Sequence, residues 1–274
     1  MGQTPQDRAA ASKPAHPSTP TRTTLFGPPP RVDRDEMLDT PKLPRDDLAA
    51  TLRDIALMNR FLGGTHAVLT ALGPLLDAAA ATKQSETSPI RILDIGTGSA
   101  DIPRAIARAA SSGRYPAIRH RALMLRATDS NPRVLAIARK RTPRPAFPSI
   151  DTEEADARSL PYPDGSFDIV LCSQTLHHFC PEEAVALLKE MSRIASTGIL
   201  VNDLIRSRRA ALLIRLWMLG TFANRVTRHD APISILRSYT IAEYTALAHS
   251  AGLPDVTVRR VPLFRTILVH RKQG

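Results

Sequence analysis

A chain of 274 residues can bury one core of ordinary size and still carry an irregular tail. Hydrophobic residues make up 43%, enough for that core, whereas an aromatic share of 4% argues against a surface built to stack nucleic-acid bases. The net charge of +11 leaves two readings open, a solvated Arg-rich surface or a functional basic face, because the positives run from Arg8 to Arg271 without a Lys/Arg block.

Residues 1–45 read as a largely disordered, Pro-rich leader, with Pro14, Pro17, Pro20, Pro28, Pro29 and Pro30 among Ser and Thr. It has no apolar segment of the secretory kind, and no later stretch reaches eighteen apolar residues. Residues 46–274 form the folded unit. Within it, 46–81 is a helical cap: Leu48, Leu52, Ile55 and Leu62 recur at helical spacing, and a second run follows Gly63-Gly64.

An α/β alternation comes next. Strands are expected at 90–95, 122–128, 149–154, 167–172 and 198–202, with helices at 102–110, 132–141 and 181–194. Asn131 or Ser130 caps the second of these helices. Residues 204–240 read as a helical insertion, apolar on more than one face. A helix at 241–251 ends at Gly252, and a strand pair at 256–260 and 265–270 closes the chain.

The most informative stretch is Ile92-Leu93-Asp94-Ile95-Gly96-Thr97-Gly98-Ser99-Ala100-Asp101. A strand runs into a turn with two glycines one residue apart and then opens a helix, a nucleotide-binding device. A dinucleotide fingerprint would place its third Gly at 101, which is Asp. An acid two residues before G-x-G-x-A instead resembles the first motif of class I S-adenosylmethionine-dependent methyltransferases. Further segments resemble that family in the right order: Ala127-Thr128-Asp129-Ser130-Asn131-Pro132, Asp156-Ala157-Arg158-Ser159-Leu160-Pro161-Tyr162, and Pro163-Asp164-Gly165-Ser166-Phe167-Asp168-Ile169-Val170 leading to Cys172-Ser173-Gln174-Thr175-Leu176-His177-His178-Phe179.

The resemblance covers about residues 46–274. It implies a Rossmann-like three-layer sandwich with a mostly parallel seven-stranded sheet and an antiparallel closing strand. S-adenosylmethionine is the implied cofactor. Asp94, Gly96, Thr97 and Gly98 would hold its methionine end, Asp129 and Ser130 its ribose, Asp156 and Ala157 its adenine, with Ser173 beside them. Leu176-His177-His178 looks like the quinone and small-molecule branch. Met58-Asn59-Arg60-Phe61 and Val201-Asn202-Asp203-Leu204 look like bacterial members associated with secondary metabolism.

Methyl transfer from an activated sulfonium asks mainly for positioning and desolvation, and for a base only where the acceptor loses a proton. The base candidates are His177, His178 and His229, the last beside Asp230. Asn59, Trp217 and Arg237 are candidates to contact the acceptor, which is expected to be small, apolar or aromatic, and methylated at O or C. The apolar 204–230 stretch is expected to cover it as a lid, with peripheral membrane contact as the alternative. An RNA or protein substrate and a non-enzymatic cofactor-binding scaffold are the competing readings. No metal is expected, because Cys172 and Cys180 have no further ligands at zinc-like spacing and His177 and His178 are adjacent. Two cysteines make no disulfide framework, so the reducing cytoplasm is the expected compartment. Oligomeric state is left open.

Overall fold

The computed structural model describes residues 27–40, 42–221 and 223–272. The first 26 residues of the expected leader, and Phe222 of the expected lid, lie outside them. In chain order come α1 (Arg45–Phe61), α2 (Gly64–Thr82), β1 (Ile90–Ile95), α3 (Asp101–Ser111), β2 (Leu123–Asp129), α4 (Pro132–Arg141), β3 (Ile150–Glu154) and β4 (Phe167–Ser173). There follow α5 (Pro181–Ile194), β5 (Ala195–Leu204), α6 (Arg208–Leu219), α7 (Arg225–Arg237), α8 (Ile241–Ser250), β6 (Thr257–Val261) and β7 (Arg265–Arg271).

The strands form one sheet in the order β3-β2-β1-β4-β5-β7-β6. β1 to β5 pair in parallel, and β7 runs antiparallel to both β5 and β6. Side chains of successive strand residues point to opposite faces, and both faces are covered. Ile92, Ile169, Leu171, Leu200 and Ile267 face α2 and α3, where Leu72, Leu75, Leu76 and Ile106 meet them. Leu93, Val170, Cys172, Val201 and Leu268 face α5 and α8, against Leu187, Leu188, Met191 and Tyr244. Each buried strand therefore reads as a continuous apolar run, which is why the strands were legible. Truncating any of these leucines or isoleucines to Ala would cost roughly 2–5 kcal/mol.

Two departures from the sequence reading matter for the site. The single helical stretch expected after β5 is two helices, because Ser207 and Asn224 each accept main-chain N–H bonds as separate N-caps. Residues 31–40, with 42 and 43, expected to be part of a disordered leader, pack as a strap against α7 and the turn after β4. Val32 N–H donates to the Leu236 carbonyl at 3.2 Å, and Leu43 is buried with Leu48, Leu52, Val134 and Val226. Strap composition hides this: Asp33, Arg34 and Asp35 are exposed, while Glu36 is 5% exposed.

Candidate functional site

The strand order reverses between β1 and β4, and open α/β sheets bind ligands at such a point, beyond the carboxyl ends of the strands. A cavity of about 1550 Å³ lies there, larger than the roughly 300–1,000 Å³ of an ordinary small-molecule pocket. All the residues expected to hold the cofactor line it: Asp94, Gly96, Thr97, Gly98, Asp129, Ser130, Asp156, Ala157 and Ser173.

The glycine turn is held by its neighbours. Gly96 and Gly98 have φ of 68° and 54°, and a Cβ at Gly96 would lie 2.3 Å from Thr175 Oγ1. Asp129, at the end of β2, accepts the Gly98 N–H at 3.1 Å and the Asn131 N–H at 3.0 Å, tying the turn to the start of α4. Asn131 is the helix cap, accepting from Arg133 N–H at 2.9 Å. Asp94 is fully buried; Oδ2 accepts from the Thr97 hydroxyl at 2.7 Å, and Oδ1 has no partner among the described residues. Burial pushes its carboxyl up to about 8, helped by the nearby Asp101 and Asp129 charges and opposed by Thr97. Asp156 is the open member: it is half-exposed and accepts the Arg158 N–H at 2.9 Å.

Asn59, expected on the acceptor, lines the cavity and also braces the turn. Its Nδ2 donates to Asp101 Oδ2 at 3.0 Å, and its carbonyl oxygen accepts from the Gln174 amide. Gln174 itself sits at φ 55° just after β4, a backbone cost that the sequence did not announce.

The second part of the cavity lies under the strap. His177 is buried, with Nδ1 2.6 Å from Asp203 Oδ1 and its N–H donating to Asp203 Oδ2 at 3.0 Å. Glu36 Oε1 stands 3.6 Å from His177 Nε2 and accepts from the Ser234 hydroxyl at 2.8 Å. Burial alone would lower the His177 pKa, but the Asp203 and Glu36 carboxylates raise it to about 10. Burial would likewise raise Glu36, and the facing His177, with His178 and the Ser234 hydroxyl, holds it at about 2. His178 stands with Nδ1 3.3 Å from Asp39 Oδ2. His177 is thus held between two carboxylates, Asp203 and Glu36.

The remaining expectations divide. His229 does form a pair with Asp230, Nδ1 to Oδ1 at 2.7 Å, but it does not line the cavity, and Asp230 also accepts the Met37 and Leu38 N–H groups of the strap. Trp217 does not line it either. Arg237 does, though its Nη2 is turned onto the His178 carbonyl at 2.8 Å. From α6 only Ile214 reaches the cavity, so the wall expected from that helix is built by α7 through Thr227, Asp230, Ala231, Ser234 and Ile235. Glu36, Asp203, Thr175 and Arg265 were not singled out by sequence. Arg265 is buried and donates to the Leu62 carbonyl at 3.0 Å; burial pulls its pKa down to about 10, and the Asp203 and Asp101 charges oppose that shift.

Residues 93–201 match the family described as a methyltransferase domain. A demethylmenaquinone methyltransferase of Deinococcus radiodurans is 33% identical over 120 residues, 44% of this chain and 44% of that protein. The chain spans about half the length of the curated relatives it matches. Among solved structures, a SAM-dependent methyltransferase from Aquifex aeolicus aligns with TM-score 0.54 and 14% identity, over 81% of this chain and 97% of that one. An O-methyltransferase family 2 protein from Planctomyces limnophilus, in complex with apigenin, aligns with TM-score 0.54 and 18% identity, over 85% and 63%. At these identities the structural likeness concerns the fold.

Proposed function

We propose that this chain, whose residues 93–201 match a methyltransferase domain, transfers a methyl group from S-adenosylmethionine to a small acceptor bound under the strap. The observation that carries this reading is the convergence of the glycine turn, Asp129, Asp156 and Ser173 on one cavity that Asp94 also lines, its buried Oδ1 without a partner among the described residues. A buried carboxylate oxygen with no donor suits the ammonium of an amino-acid group. Gly96 and Gly98 bring bare backbone to the cavity, and Asp129 keeps lone pairs for ribose hydroxyls beyond the two N–H bonds it accepts. The cofactor, when bound, supplies an activated methyl on sulfur.

The protein's share is positioning and proton handling. The acceptor end combines Leu38, Ile55, Ile214 and Ile235 with the Glu36–His177–His178 cluster. An apolar ring can rest on the former while a hydroxyl or an acidic carbon meets the latter. With the cofactor bound, the acceptor's oxygen or carbon would take the methyl from sulfur, and the proton it gives up would pass to solvent in the cavity beside the cluster. Phenolic, quinone-like and polyketide-derived molecules fit these walls. The quinone substrate named for the Deinococcus relative and the flavone bound to the Planctomyces protein belong to the same chemical range. An RNA or protein substrate draws less support, because several guanidiniums of the basic surplus are spent inside: Arg206, Arg237 and Arg265 are buried.

Calorimetric titration with S-adenosylmethionine and S-adenosylhomocysteine, with NAD as control, tests the cofactor. Transfer of a labelled methyl group to a panel of phenols and quinones tests the acceptor class. Binding of NAD alone would overturn the reading of the turn.

A further inference from the structure

The Glu36–His177–His178 cluster brings three side chains of metal-ligating type together without a hydrogen bond between His177 and Glu36. His177 Nε2 is buried and has no hydrogen-bond partner among the described residues, and the facing Glu36 oxygen is 3.6 Å away. That is too long for a charge-assisted hydrogen bond, whose usual length is about 2.7–2.9 Å. It is close to the spacing of about 3.3 Å that two donors adopt across a tetrahedral ion with bonds of roughly 2.0–2.1 Å. One ring nitrogen of each histidine and a Glu36 carboxylate oxygen all lie within 4.8 Å of one another.

From this we infer that Glu36, His177 and His178 form a binding site for one divalent ion of the zinc class. Two imidazoles and a carboxylate are the ligand chemistry such ions select. Asp203 prepares the site: a carboxylate at Nδ1 fixes the ring proton there and leaves the Nε2 lone pair for a metal, the usual carboxylate–histidine–metal arrangement. Ser234 orients Glu36 by donating to Oε1, and Asp39 stands beside His178 as an outer carboxylate. Adjacency of the two histidines is no obstacle, because the 3-10 turn Leu176–His178 brings their rings to 4.4 Å at a tilt of 31°. Two guanidiniums stand near. Arg31 is bonded to main-chain carbonyls of His177 and Phe179, and Arg237 to that of His178 while its Nη1 lies 3.7 Å from Asp39.

Three protein ligands leave a position open toward the cavity. There the ion would hold an acceptor oxygen and promote loss of its proton. This consequence rests on the acceptor reading above; the ion site does not.

The test is titration of the full-length, chelator-treated protein with Co2+, followed by visible absorption and calorimetry, with Zn2+ as competitor. One equivalent should bind, with the intense bands of low-coordinate cobalt, and Zn2+ should displace it. Glu36→Gln and His178→Ala should each weaken binding by more than ~10-fold. Cys180→Ser should leave it unchanged, which excludes the nearby thiol as the ligand. His178 is partly exposed, so His178→Ala carries the comparison if Glu36→Gln fails to fold. Absence of stoichiometric binding, or binding by both ligand variants as tight as that of the wild type, overturns the site. Cobalt binding without S-adenosylhomocysteine binding would leave the site standing and remove the methyl-transfer reading; the reverse would remove the site alone.

Discussion

The Thr97 hydroxyl donates to Asp94 Oδ2 at 2.7 Å, while the second oxygen of the same carboxyl meets nothing among the described residues. An acid in that position keeps its proton in the folded state to about pH 8, against 3.8 when exposed. Between those values the folded chain holds a proton that the unfolded chain has released, so stability falls as pH rises through the window. Asp94→Asn removes this slope, and unfolding of the two proteins compared from pH 5 to 8 would show it. A cofactor ammonium favours the ionised carboxyl, so S-adenosylhomocysteine binding near pH 7 should release a proton. Calorimetry in buffers of different ionisation enthalpy measures that release. Equal proton release by the wild type and Asp94→Asn would sink the assignment.

Gly96 and Thr175 come from different strands, and each limits the other. Gly96→Ala meets two penalties: the left-handed φ of 68°, costing about 1–2 kcal/mol, and overlap with Thr175, costing about 1–3 kcal/mol. Thr175→Ala in the same chain should return the second and leave the first. Denaturant unfolding of the single and double variants gives the coupling directly. Additive effects would mean that the turn can move away from Thr175.

How far the sequence reaches follows from the range over which its signals act. β1, β4 and α5 were legible because period-two and period-3.6 burial is written locally, and the turn because two glycines and Asp94 stand within five residues. The boundary between α6 and α7 was lost although Gly220 and Asn224 are the stop and start signals for it, because the apolar run of α6 was read on through them. Glu36 gave no signal. It is one acid in a polar, Pro-rich stretch, and its burial depends on Ser234 and His177, which are distant in sequence. Asn59 lines the cavity, but its bonds to Asp101 and Gln174 had no signal in the sequence, because only folding brings α1 against them.

Arg31 fastens the strap. Its Nε donates to the Arg237 carbonyl at 2.6 Å, its Nη2 to the His177 and Phe179 carbonyls at 2.9 and 2.8 Å, and its guanidinium lies 4.6 Å from the centre of the Tyr239 ring. Arg31→Ala should cost about 2–3 kcal/mol in unfolding measurements, the range for hydrogen bonds to a charged group. Arg31→Lys should restore little of it, because an ammonium cannot span these carbonyls from one planar fork. Full rescue by Lys would show that charge alone holds the strap.

Helix α6 carries the last prediction. Its leucines were expected to cover the acceptor, yet Leu212, Leu213, Leu216 and Leu219 are more than half exposed. Leu212, Leu216 and Leu219 share a face with the exposed Arg208 and Arg215, at four- and seven-residue spacing along the helix. No described helix is long and apolar enough to cross a membrane, but an apolar stripe edged by cations suits the surface of an anionic one. The chain should therefore float with vesicles containing an anionic phospholipid, and less so as salt screens the arginines. Leu212→Ser, Leu216→Ser and Leu219→Ser combined should abolish flotation and leave S-adenosylhomocysteine affinity unchanged, since none of the three lines the cavity. Flotation that survives the triple variant would move the contact elsewhere. Absence of flotation in the wild type, joined to concentration-dependent sedimentation, would instead make the stripe a contact between copies of the chain.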